Sequence, residues 1–228
     1  MCIRDRGARA VADALLGRAP TLPTAGGVAT ERAPDWTGAE AEDRERKMCA
    51  HIEKMIRRPA RRSAPGPMAS RPEHWEVLKY TSDRVQRMAR LVVALALGRV
   101  PKSVVRGHST GEIIAIPKPN GGIRPPIMSS VLRRMGLAGV ARAIGTAAWA
   151  ASGPYQLGVD TSDGCAKAFH SIGALARLRP DKALMAADVT AAHQSLDRDF
   201  MRKEVPERCP TMDRPLDVWY PPDEPTRH

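Results

Sequence analysis

Apolar residues recur three and four apart in several stretches, and that spacing predicts the helices. Met48, Ile52, Met55 and Ile56 fall on one face of a helix over residues 40–58. Val85, Met88, Val92 and Leu95 do the same from Ser82 to Leu97, with Ser82 placed to cap the start and Gly98 and Pro101 to stop the run. A third helix is predicted from Ser130 to about Ala151, ending at Gly153-Pro154. A fourth starts near Ser162, with Cys165, Phe169, Ile172 and Leu175 expected to face inward. Between the second and third the pattern changes. Ile113 to Ile116 and Ile123 to Ile127 flank Pro-Lys-Pro-Asn-Gly-Gly, and Asn120-Gly121 is a hairpin turn signal because both residues tolerate positive φ. Ala183 to Asp188 reads as a short buried strand ending on a carboxylate. Helices, hairpin, helices and strand in that order predict an α+β fold, mostly helical.

Punctuation divides the chain into three stretches. Residues 1–60 form a loose lead-in with one helix, and the opening Met-Cys-Ile-Arg-Asp-Arg is expected to be adaptor-derived and not native. Residues 61–180 follow a link rich in Pro, Gly and Ser between Pro59 and Pro72. Residues 181–228 end in a tail from Pro206 that is rich in proline and charge and is expected to fray.

Charge sharpens this division. The chain of 228 residues has a net charge of +11. Residues 61–180 hold 18 Lys/Arg against 6 Asp/Glu, whereas residues 181–228 hold 7 against 10. From Arg84 to Arg142 there are eleven basic residues and a single acid, Glu112. Such a block points to a polyanionic partner, since each phosphate neutralised releases a counterion; a solvated basic face gives the same count. Aromatic residues are only 4%, which argues against modules that stack bases on an aromatic sheet. The longest aliphatic run, Leu91 to Leu97, is too short to span a membrane, so no membrane partner is expected. Four cysteines lie far apart with no C-x-x-C, which argues against zinc or a disulfide framework and fits a soluble intracellular protein, in nucleus or cytoplasm.

Two constellations carry chemistry. In the hairpin, Lys118 and Arg124 stand on either side of a Gly-rich turn stiffened by Pro117 and Pro119. A point charge and a bidentate fork suit a triphosphate; an ordinary hairpin with charged edges accounts for them as well. At the other, Asp188 ends an apolar run and suits Mg²⁺, with the neighbouring backbone carbonyl as a second hard ligand. Taken alone it reads equally as the N-cap of a helix.

Together these pieces resemble reverse transcriptases, those of non-LTR retrotransposons most closely. The resemblance rests on Ile116-Pro-Lys-Pro-Asn-Gly-Gly-Ile-Arg-Pro125, Leu132-Arg-Arg-Met135, Gln156-Leu-Gly-Val159 and Asp188 to Arg198, in that order, and on Ser63-Ala-Pro-Gly-Pro67, Glu73 to Leu78 and Gly98-Arg-Val-Pro101 upstream. It covers roughly residues 60–220. It implies the fingers of a right-hand polymerase followed by the start of the palm, whose first strand carries Asp188. It further implies that Lys118 and Arg124 contact the triphosphate of an incoming dNTP and that Asp188 and the Val189 carbonyl hold Mg²⁺. His193 would lie against the sugar, at a position usually Phe or Tyr. Gln156 and Gly158 would play a structural part. The basic residues Arg99, Lys102, Arg106, Arg133 and Arg134 would line an RNA template and DNA primer. Two metal ions would then assist phosphoryl transfer. The chain departs from the family at Arg124-Pro-Pro126, where Arg-Pro-Ile is usual, and at His193. The paired aspartates of the later palm do not occur in these residues, so catalysis is expected of a full-length protein and not of this fragment. The alternative is a non-catalytic basic module that binds nucleic acid.

Overall fold

The computed structural model describes residues 36–119, 121–153, 155–158, 160–188 and 195–221. Among these, helices dominate: α1 (Gly38–Arg57), α2 (Ser82–Ala96), α3 (Lys102–Ser109), α4 (Val131–Ser152), α5 (Gly164–Leu178), α6 (Arg198–Arg208) and α7 (Asp213–Trp219). Tighter 3-10 turns cover Pro72–Tyr80 and Pro210–Met212. Four short strands lie between α3 and α4: β1 (Gly111–Ile113), β2 (Ile116–Pro117), β3 (Ile123–Arg124) and β4 (Ile127–Ser129). The α+β pattern holds in this coarse form, a helical body with a small antiparallel element.

The core lies where α1, α2 and α4 meet. Met48, Ile52 and Ile56 enter from α1, Val85, Val92 and Ala96 from α2, and Val131, Met135, Val140 and Ile144 from α4. The periodic positions of the first two predicted helices are therefore the buried ones, as an amphipathic stripe requires, with Met55 half-buried against the core. Residues on both sides of residue 60 build this one core. The start of α2 differs from expectation by one residue. Thr81 is its N-cap, and no side chain caps it. The start of α4 is capped as its sequence suggests, with the Ser130 hydroxyl accepting the Arg133 N–H at 3.2 Å.

Three expectations need correction. The fourth predicted helix forms as α5, but Cys165, Phe169, Ile172 and Leu175 face solvent, with Phe169 75% exposed. No other described element packs extensively on α5, so its apolar side has nothing to be buried against. The predicted palm strand is absent. Ala183 to Asp188 has no regular secondary structure, and all six residues are exposed. A lone strand leaves its backbone donors and acceptors unpaired, and the described strands pair only as β1 with β4 and β2 with β3.

The tail is the third. It does not fray through Trp219 but folds back as α6, a 3-10 turn and α7, burying Cys209, Leu216 and Trp219. The Trp219 indole donates to the Ala96 carbonyl at 3.0 Å, Arg214 to the Leu97 carbonyl at 2.7 Å, and the Trp36 indole to the Thr211 carbonyl at 3.1 Å. Pro210 and Pro215 fall in first turns, where a missing N–H is harmless, while Pro206 lies inside α6. Asp197 starts α6 by accepting the Phe200 N–H at 3.0 Å.

Candidate nucleic-acid interface

The four strands are one hairpin. The pairs Gly111↔Ser129, Ile113↔Ile127, Ile116↔Arg124 and Pro117↔Ile123 share a single register. The ladder breaks in the middle for a covalent reason. The Ile114 N–H still reaches the Pro126 carbonyl at 3.0 Å, but Pro126 has no N–H to return to Ile114. Pro126 thus lies at the interruption. At the tip, the Lys118 N–H donates to the Gly122 carbonyl at 2.7 Å and the Gly121 N–H to the Lys118 carbonyl at 3.0 Å. Gly121 has φ +80°, the left-handed residue that such a three-residue loop needs. Asn120 lies outside the described residues.

Side chains alternate along a strand and match across a register. Residues 116, 118 and 124 therefore share one face, which brings Lys118 and Arg124 together at the hairpin's end. Both are exposed, as are Lys102 and Arg106 on α3, immediately before the hairpin. Two of the predicted contacts thus converge on one surface by register, and two more are carried by the adjoining helix. A multiply charged phosphate ligand suits this arrangement of cations.

The remaining cations serve the fold. Arg99 forks onto the Glu45 carboxylate, with Nη1 at 2.8 Å, and that pairing offsets its charge. Arg133 donates to the Ser109 carbonyl at 2.7 Å and stacks 5.0 Å from the Trp219 ring, half-withdrawn from solvent. Arg134 donates to the Ala64 carbonyl at 2.6 Å and so ties the proline-rich link to α4. Gly66 in that link, with φ +79°, runs so close to β4 that a Cβ there would sit 2.6 Å from the Ser129 carbonyl oxygen. At the hairpin's base His108 and Ser130 are both buried, with Nδ1 2.9 Å from Oγ. Burial pushes the His108 imidazole below its ordinary pKa. The sequence singled out Ser130 only as a helix start, and nothing in the spacing marked His108. The Gln156 side-chain oxygen accepts the Gly158 N–H at 2.7 Å.

The proposed metal ligands are a different matter. Asp188 is exposed on the irregular segment, and Val189 and His193 lie outside the described residues. No group of three or more His, Cys, Asp or Glu side chains comes together among the described residues. The described residues therefore do not fit a Mg²⁺ site, since one exposed carboxylate holds a hard cation weakly. Comparison of the chain with known protein families, with curated proteins and with solved structures gives no match. No helix among the described residues is long and apolar enough to cross a membrane.

Proposed function

We propose that the chain is the fingers and early palm of an RNA-directed DNA polymerase, and that its hairpin grips phosphate groups. The observation that supports this most is the register of the hairpin, which sets Lys118 and Arg124 on one exposed face at its end. The ordered motifs from Ile116 to Arg198 supply the family reading. In it, Lys118 acts as a point charge and Arg124 as a planar fork on the triphosphate of a dNTP, while Lys102 and Arg106 face an RNA template paired with a DNA primer. Positioning and charge neutralisation are what phosphoryl transfer most needs from a protein.

That no group of three or more His, Cys, Asp or Glu side chains gathers among the described residues favours a second reading of these residues on their own: a basic module that binds nucleic acid without catalysis. Template-directed dNTP incorporation by the protein of the longer reading frame separates the two. On the polymerase reading, Asp188→Asn abolishes incorporation and leaves template affinity largely intact, because the amide keeps the shape and loses the charge. Near-normal incorporation by the variant, or a frame without paired aspartates downstream, supports the second.

A further inference from the structure

The hairpin leaves the helical body through a narrow neck. Its first rung, Gly111↔Ser129, is followed at once by α3 on one side and by Ser130 and α4 on the other. His108 Nδ1 bridges these two sides, 2.9 Å from Ser130 Oγ, with His108 9% and Ser130 2% exposed. Ser130 Oγ already accepts the Arg133 N–H. The hydroxyl keeps a second acceptor site and its own hydrogen, so it pairs with Nδ1 in either tautomer of the neutral ring. A charged ring carries a hydrogen on both nitrogens and places its charge in this buried neck, where the serine is a neutral partner.

The charges around the ring do not relieve this. α4 brings Arg133 and Arg134, α7 packs on α3 with Asp213, Arg214 and Asp217, and Arg106 shares α3 itself. Arg133 is bonded to the Ser109 carbonyl next door, Arg214 to the Leu97 carbonyl, and Asp217 to Arg202. Burial alone lowers the His108 pKa, with no carboxylate offsetting it.

We propose that His108 is a positioning residue: its neutral ring, bonded to Ser130, fixes the direction in which the 111–129 hairpin leaves the body, and protonation of the ring releases it. Lys118 and Arg124 then hold a fixed place relative to Lys102 and Arg106 only while the ring is neutral. The neck contains its own reason for this, whatever ligand the hairpin takes.

The test is NMR on the full chain without nucleic acid, so its failure is separate from failure of the phosphate-gripping reading. Ring-nitrogen shifts follow His108, and amide hydrogen exchange, corrected for its intrinsic pH dependence, follows Ile114, Lys118 and Arg133. Amides of Ile52 and Val92 in the core serve as the reference. As the ring charges below an ordinary imidazole pKa of about 6.5, protection of the three amides is expected to fall while the core amides hold. The fall is about tenfold for each unit by which the released ring's pKa exceeds that of the pinned ring. His108→Gln keeps an acceptor for Ser130 without a charge and is expected to hold its protection across the same range. The wild-type curves decide alone if that variant does not fold. Protection that stays level while the ring titrates, a ring that remains neutral until the whole chain unfolds, or the same fall in a folded His108→Gln protein overturns the proposal.

Discussion

Trp219→Ala tests whether the C-terminal helix is part of the body. Trp219 is 4% exposed, its indole N–H donates to the Ala96 carbonyl at 3.0 Å, and the Arg133 guanidinium lies 5.0 Å from its ring. Truncating a buried Trp to Ala costs about 3–5 kcal/mol from lost transfer energy and the cavity left behind. Trp219→Phe keeps most of the ring but removes the donor, leaving the Ala96 carbonyl at the end of α2 without that bond. The cost of an unmet buried polar group is about 1–3 kcal/mol. The cation–π contact adds less than either. The expected order is therefore wild type, then Phe, then Ala, read from urea unfolding by far-UV circular dichroism. Unchanged slopes would show that the midpoint shifts report stability and not altered compactness. Both variants falling within about 0.5 kcal/mol of the parent, the usual range for surface substitutions, would refute the docking of α7 and return the tail to a frayed segment.

Two glycines with left-handed backbone separate strain from crowding. Gly66→Ala places a Cβ 2.6 Å from the Ser129 carbonyl and strains φ, whereas Gly121→Ala meets nothing within 4 Å and carries only the backbone strain. Thermal unfolding is expected to show a loss of about 1–2 kcal/mol at Gly121 and a clearly larger one at Gly66; equal losses would mean that the link does not pack on β4. Stability should also fall with acid. Burial lowers the pKa of both His51 and His108, with Arg142 and Lys54 adding to the effect at His51. The unfolded chain therefore binds more protons than the folded one below an unfolded value of about 6.5. Their contribution is complete above that pH and is lost as pH drops toward the folded values. Replacing both with Gln should flatten this part of the curve in urea titrations at stepped pH, and an unaltered curve would contradict it.

Local periodicity revealed most of the helical body because α1 and α2 bury the stripe that their sequences carry. Met48, Ile52 and Ile56 are buried as their spacing demanded. The same reasoning failed at α5. Cys165, Phe169, Ile172 and Leu175 have helical spacing, but spacing says nothing of whether a partner surface exists. Ala183 to Asp188 failed for a related reason, since an apolar run becomes a strand only beside another strand. At the hairpin, Asn120-Gly121 and the flanking isoleucines were enough to place the turn. The shared face of Lys118 and Arg124 required the register, which the structure supplied. The seven cations of the predicted interface looked alike in the sequence. Tertiary contacts divide them: Arg99, Arg133 and Arg134 bond to groups 24 to 70 residues away, a relation that no local pattern encodes.

The most direct test of the phosphate-gripping hairpin is the salt dependence of binding to an RNA template annealed to a DNA primer. Fluorescence anisotropy would compare the parent chain with a Lys118→Ala/Arg124→Ala double variant. The two residues are exposed on the hairpin's end and make no contact with the buried core, so the variant should fold as the parent does. Each phosphate contact contributes about 0.7–0.9 to the slope of log K against log salt. Loss of two should weaken binding and flatten that slope by about 1.4–1.8. A folded double variant with the parent's affinity and the parent's slope would contradict the account.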